Sequence, residues 1–232
     1  MDQLLVALDV DNAVHAIELA TRLRGRVGGV KIGSTLFAAE GPPLVRRLVD
    51  QGHRVFLDLK FHDISHQVAG AVAAATKLGV WMMTVHASGG SAMLTAAHRA
   101  AAETAAARKM PPPLIVAVTV LTSLNDQDLL DIGVNRSMES QVEALAAMAH
   151  AAGLDGIVAS PQELKILRQR FPTLTIVTPG IRAEVAPADD QSRTLSAKGA
   201  LAAGASYLVV GRPIIAAADP GIAAEEIARS CA

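Results

Sequence analysis

The sequence predicts a single α/β domain, spanning 1–232, folded as a (β/α)8 TIM barrel. Short apolar runs alternate with longer helical patterns from end to end, and there are eight such runs. The 232 residues come to roughly 29 per βα unit, close to the ~250 typical of a whole barrel of this kind. A doubly wound open sheet is the rival, but no Gly-x-Gly-x-x-Gly follows the first run. No linker, low-complexity segment or charge block marks a second domain.

The predicted strands are Leu4–Leu8, Gly29–Ile32, Arg54–Leu59, Val80–Val85, Leu114–Val120, Gly156–Ala159, Leu174–Val177 and Tyr207–Val210. Each is short and rich in leucine or β-branched residues, as strands buried on both faces of a parallel sheet must be. Between them, Pro43–Gln51 reads as an amphipathic helix. Leu44, Val45, Leu48 and Val49 form its apolar stripe, and Arg46, Arg47 and Asp50 its polar face. Val142, Leu145 and Met148 repeat that spacing. Gly52, Gly79, Gly153 and Gly204 stand just before strands, where a helix is ended by a left-handed residue. Asp126 to Gly133 predicts an extra short helix after the fifth strand.

Composition narrows the function. A net charge of −1 argues against a nucleic-acid surface, and 3% aromatic residues leave little for stacking bases. The longest apolar runs, such as Leu114 to Leu121, fall far short of the ~20 residues of a membrane span. Cys231 is the one cysteine, so no disulfide framework forms within the chain and a reducing cytoplasm is expected. The start, Met1-Asp2-Gln3, has neither a basic nor an apolar leader region, so no signal peptide is expected.

In this fold, chemistry sits at the C-terminal ends of the strands. The strand ends here carry Asp9, Lys31, Asp58-Leu59-Lys60, His86 and Thr122-Ser123, then Arg182 after the seventh strand and Gly211-Arg212 after the eighth. Any one of these alone is a solvated strand end or a helix cap. Together on one rim they predict a site. The sharpest segment is Asp58-Leu59-Lys60-Phe61-His62-Asp63. Alternation along a strand sends Asp58 and Lys60 to the same side, and Asp63 falls past the strand at the start of the next helix. A cation held between carboxylates stays charged and oriented.

The second constellation predicts a phosphate site. Pro179-Gly180-Ile181-Arg182 and Gly211-Arg212-Pro213 follow the seventh and eighth strands, the loops that frequently bind phosphate in barrels. Gly211 permits close backbone approach, Pro213 suits a first helical turn, and two guanidiniums offer charge-assisted hydrogen bonds. Ala183 to Arg193 has the composition of a lid over the phosphate, with Gln191 as its ligand-touching candidate. The seven histidines form no metal-ligand pattern, and His15, His98 and His150 are predicted surface residues of helices. Asp9 and Asp58 are the carboxylates on which a magnesium site would draw.

These segments resemble the orotidine 5'-phosphate decarboxylase family along nearly the full chain. The resemblance rests on Ala7-Leu8-Asp9, Val30-Lys31-Ile32-Gly33, Asp58-Leu59-Lys60-Phe61-His62-Asp63-Ile64, Val85-His86-Ala87, Leu121-Thr122-Ser123, Pro179-Gly180-Ile181-Arg182 and Gly211-Arg212-Pro213-Ile214. It implies a metal-free, cofactor-free lyase acting on a nucleotide, with Lys60 as proton donor to C6 of the pyrimidine and Asp58 beside the substrate carboxylate. It further implies that Lys31 and Asp9 bind the ribose and anchor the charges, and that Thr122 and Ser123 meet the pyrimidine. Arg182, Gln191, Gly211 and Arg212 would hold the phosphate. Asp63 and Ile64 would reach into the neighbouring subunit's site, making a homodimer the working unit. The family usually continues Asp-Ile-Pro-Asn-Thr, where this chain has Asp63-Ile64-Ser65-His66-Gln67. Gln67 thus stands where a threonine contacts the ribose, with hydrogen-bonding capacity but a different reach.

Two other functions share much of this pattern. A sugar-phosphate decarboxylase or aldolase of the same superfamily, working through magnesium and an enediolate, would use the same Asp-x-Lys-x-x-Asp core. Lys31 and the Thr122-Ser123 pair favour the nucleotide. A silent barrel that only binds a nucleotide or phosphate has no need of the Asp58, Lys60 and Asp63 set.

Overall fold

A computed structural model describes residues 2–182 and 195–231. Eight strands close into a parallel barrel: β1 (Leu4–Ala7), β2 (Gly29–Gly33), β3 (Val55–Phe61), β4 (Met82–His86), β5 (Leu114–Val118), β6 (Gly156–Val158), β7 (Thr175–Thr178) and β8 (Tyr207–Val210). Each pairs with its sequence neighbours, and β1 seals the ring against β8 through Leu4↔Leu208, Leu5↔Val209 and Val6↔Val210. All eight predicted strands are present, with ends shifted by at most two residues and Tyr207–Val210 matched at both ends.

Period-two alternation separates two apolar layers. Leu5, Ala7, Phe56, Met82, Val116, Val177 and Val209 fill the barrel. Their sequence neighbours, among them Leu4, Val6, Leu57, Met83 and Val210, face outward into the larger core under the helices. At the N-terminal end Trp81 meets Tyr207 edge-on, ring centres 5.2 Å apart, and the Arg54 guanidinium lies 5.6 Å from the Trp81 ring centre. Sites in barrels of this kind lie at the opposite, C-terminal end of the strands.

Around the strands lie α1 (Ala13–Leu23), α2 (Ser34–Asp50), α3 (Ser65–Thr76), α4 (Gly90–Ala107), α5 (Asp126–Asp131), α6 (Met138–Ala151), α7 (Leu164–Arg170), α8 (Ala197–Ala202), α9 (Arg212–Ile215) and α10 (Pro220–Ser230). The predicted helix Pro43–Gln51 is the second half of α2, which bends at Gly41 (φ 63, ψ −162) just before Pro42 and Pro43. Prolines are tolerated in a helix's first turn and not in its interior, so the chain restarts there. Val142 and Leu145 are buried as predicted, and Met148 is half-buried. The extra helix after β5 is α5, begun by a reciprocal cap between Asn125 and Asp128. Gly52, Gly79, Gly153 and Gly204 take φ of 83, 81, 80 and 110, the left-handed conformation expected of them. His15 and His150 are exposed and His98 is half-buried.

Arg168, on α7, fastens the seventh and eighth units. Its guanidinium donates to the carbonyls of Gly204, Pro172 and Leu174 and to Ser206 Oγ at 2.7–3.1 Å. Ser206 Oγ in turn accepts from the Ile176 amide of β7.

Candidate active site

The site grows out of three adjacent strands. On β1 and its extension, the parity that turns Leu5 and Ala7 inward carries Asp9 to the barrel mouth. On β2, Val30 and Ile32 pack outward, so Lys31 turns inward with its side chain 11% exposed. Gly33 leaves room for the ammonium, since a Cβ there would stand 3.2 Å from Lys31 Nζ. On β3, inward Phe56 sets the parity for Asp58, whose side chain is 14% exposed.

Charges alternate along this row. Asp9 Oδ1 lies 3.4 Å from Lys31 Nζ, which lies 3.6 Å from Asp58 Oδ2. Asp58 Oδ1 accepts from Lys60 Nζ at 3.0 Å. Lys60 is the more open cation, 37% exposed. The row therefore runs carboxylate, ammonium, carboxylate, ammonium. A cavity of about 520 Å³ opens beside it, lined by Asp9, His15, Lys31, Gly33, Asp58 and Lys60 among others.

Asp58 and Lys60 do meet, but not by simple alternation. Leu57 pairs with Met83 and Phe61 with Val85, so β3 takes four steps where β4 takes two. Lys60 sits in this bulge with φ 51, a conformation that a side chain bearing Cβ adopts at a cost of about 1–2 kcal/mol. Its amide donates to Thr84 Oγ1 at 2.8 Å, and the Thr84 hydroxyl donates to Asp58 Oδ1 at 3.0 Å. Thr84 was not among the residues singled out from the sequence. The available signal was its parity with Met82 and His86, which turns a hydroxyl into the barrel two residues before the polar strand end.

Asp63, Ile64 and Gln67 lie beyond the bulge, where the chain enters α3. All three are exposed, Ile64 by 70%. Asp63 Oδ1 accepts from the Ile64 amide. Among the described residues of the chain, Asp63 forms no ion pair with Lys31 or Lys60. Thr122 and Ser123 occupy a turn after β5, half-buried and exposed respectively.

Across the mouth, Gly211 follows β8 and precedes α9, whose first turn contains Pro213 as predicted. A Cβ at Gly211 would stand 3.3 Å from Asp9 Oδ2 and 3.5 Å from Ala7 Cβ. The glycine thus admits this loop to the charged row as well as to any anion. Arg212 is exposed at the start of α9. After β7, Gly180 takes φ 79, and Ile181–Arg182 pairs in parallel with Leu195–Ser196. Gln191, the predicted lid Ala183 to Arg193 and the side chain of Arg182 lie outside the described residues. Among the described residues no group of three or more His, Cys, Asp or Glu side chains is placed to hold a metal ion.

His86, at the end of β4, stacks on His62 with ring centres 5.3 Å apart, and its Nδ1 lies 2.6 Å from Ser88 Oγ. Burial holds its pKa below the ordinary imidazole value, helped by the nearby charges of His62 and Lys60.

A closed parallel barrel with an alternating lysine–carboxylate row at its mouth belongs to the class of TIM-barrel enzymes, whose sites lie at this end of the strands. The sequence profile described as "Orotidine 5'-phosphate decarboxylase / HUMPS family" matches residues 2–227, and the chain belongs to that family. It is 47% identical to the orotidine 5'-phosphate decarboxylase of Syntrophotalea carbinolica, covering 99% of this chain and 95% of that one. Identity to the decarboxylase of Moorella thermoacetica is 49%, covering 98% and 91%. The crystal structure of orotidine 5'-phosphate decarboxylase from Lactobacillus acidophilus superposes with a TM-score of 0.86 at 36% identity, covering 100% of this chain and 99% of that one.

The depressed pKa of His86 has a sign that can be measured. The unfolded chain binds a proton at this residue at higher pH than the folded protein does, so stability falls as pH drops from the ordinary imidazole range toward the lower folded value. Urea midpoints measured from pH 8 down to pH 5 should decline, and His86→Asn should flatten part of the decline. Only part is expected, because His53 is depressed for the same first reason, burial, together with Arg24. An unchanged slope in His86→Asn would remove His86 from this account.

Proposed function

We propose that this chain decarboxylates orotidine 5'-phosphate to uridine 5'-phosphate and carbon dioxide, the last step of de novo pyrimidine nucleotide synthesis, in the cytoplasm and without metal or cofactor. One 1–232 domain supplies the chemistry. The observation that carries this reading is the Asp9–Lys31–Asp58–Lys60 row, in which the reacting ammonium is held by a carboxylate that is itself held from three sides.

The chemistry follows from the charges. When the bond from C6 to the carboxylate breaks, carbon dioxide leaves and the electron pair stays on C6. No adjacent group delocalises that pair, so fixed positive charge must stabilise it. Lys60 supplies the charge and then its proton, which closes the C6–H bond and leaves a neutral amine to be reprotonated from water. In this reading Asp58 lies beside the departing carboxylate and favours its loss. Lys31 and Asp9 hold the ribose, and Thr122 and Ser123 the pyrimidine. Gly211 and Arg212 hold the phosphate, with Arg182 and Gln191. Binding energy from that remote phosphate organises the site and raises turnover.

The family also includes sugar-phosphate enzymes, which would draw on the same aspartates through magnesium. The geometry favours the metal-free reading: both oxygens of Asp58 already face ammonium groups, and one also accepts from Thr84. The fall in ultraviolet absorbance as orotidine nucleotide becomes uridine nucleotide should persist after exhaustive chelation. Lys60→Ala should lower kcat by about 10²–10⁴-fold or more. Activity abolished by chelator and restored by magnesium would move the chain to the sugar-phosphate branch.

The working unit in this reading is a homodimer with shared sites. Asp63 lies outside its own chain's row, beside the exposed Ile64, and in this reading it completes a neighbour's site with Ile64 and Gln67. Mixed Lys60→Ala and Asp63→Ala proteins should then complement after subunit exchange. Random pairing makes half the dimers hybrids with one intact site of two, so about a quarter of wild-type activity should return. If exchange is confirmed with differently tagged chains and no activity returns, Asp63 serves its own chain.

A further inference from the structure

We propose that Thr84 is the positioning residue that fixes Lys60 for the reaction, an inference that rests on the reading of Lys60 as proton donor. Thr84 is fully buried in β4, facing into the barrel between Met82 and His86. Its hydroxyl has one proton, and the geometry leaves no choice of direction. The Lys60 amide can only donate, so Thr84 Oγ1 accepts from it at 2.8 Å. Asp58 carries no proton as a carboxylate, so Thr84 donates to its Oδ1 at 3.0 Å.

Both bonds act on the same ammonium. The first anchors the backbone from which the Lys60 side chain departs. In an unbulged parallel pair, the amides of β3 that face β4 would donate to carbonyls of that strand. Here β3 carries extra residues between its pairings with Met83 and Val85, and the Lys60 amide finds a side-chain oxygen instead. That bond offsets the strain of φ 51 and leaves no buried donor unsatisfied. The second bond holds Asp58 Oδ1, the atom that also accepts from Lys60 Nζ. Backbone and ammonium of one residue are therefore tied to a single hydroxyl, directly at one end and through Asp58 at the other. A β-branched residue is suited to the task, because its restricted χ1 keeps that oxygen in place. Thr84 itself need not touch substrate.

Thr84→Val keeps the shape and removes the hydroxyl, and Thr84→Ser keeps the hydroxyl. In the ultraviolet assay Thr84→Val should lose about 10²-fold in kcat, the scale of a misplaced reacting group, with KM changed less than about threefold. Thr84→Ser should recover most of the loss. Hydrogen exchange at the Lys60 amide should be slow in the wild type and Thr84→Ser and fast in Thr84→Val. Thr84→Ala, which leaves room for a water, carries the same comparison should the valine protein not fold. Wild-type kcat in Thr84→Val, or an equal loss in Thr84→Ser, would overturn the proposal, as would unchanged exchange at Lys60. If the wild type shows no decarboxylation, the functional reading fails separately, and the exchange measurement still decides whether Thr84 holds Lys60.

Discussion

The mouth of this barrel depends on one carboxylate. Asp58 is 14% exposed and lies between two ammonium groups, Lys60 at 3.0 Å and Lys31 at 3.6 Å. At an effective dielectric of 20, unit charges 4 Å apart interact by about 4 kcal/mol. Without Asp58, that interaction would become repulsion between two lysines in a confined space. Burying a carboxylate is costly unless its oxygens are satisfied, and here one oxygen receives Lys60 and Thr84 while the other faces Lys31. Asp9 closes the row at the solvent side, where Lys31 would otherwise have one carboxylate neighbour. The result is an ammonium poised over a cavity, with little freedom to move away from it.

The barrel supports this arrangement by geometry rather than by any special local stability. Parallel strands deliver Asp9, Lys31 and Asp58 from three adjacent positions, at inward parity. The aromatic contact between Trp81 and Tyr207 fills the other end. Among the described residues, the barrel departs from regular pairing at the bulge that holds Lys60, and bulges recur beside active sites because they re-aim a side chain.

Much of this was legible in the sequence. Strands buried on both faces leave continuous apolar runs, and the polar residues interrupting their ends stand out against them, so Asp9, Lys31, Asp58 and Lys60 could be named together. The bulge was not legible, because alternation presumes an unbroken strand and nothing in Asp58-Leu59-Lys60 announces extra residues. Thr84 escaped for a related reason. Threonine is an ordinary strand former, so its hydroxyl draws notice only once a neighbouring strand is found to need it. The Pro42-Pro43 restart of α2 hid the helix's first half, and its apolar stripe was recognisable only after the kink. Gly211 was expected to admit an anion. Its nearest constraint within the chain is Asp9 Oδ2, a contact between loops that local sequence does not encode.

The central claim is that the charged row works as one unit rather than as separate contributors. A double-mutant cycle on kcat/KM for orotidine 5'-phosphate, using Lys31→Met, Asp58→Asn and the pair together, tests it most directly. The account predicts losses of about 10²-fold or more for each single change and little further loss in the double, the non-additivity expected of coupled groups. Losses that simply multiply would contradict it, and would leave Lys31 and Asp58 as independent contacts around Lys60.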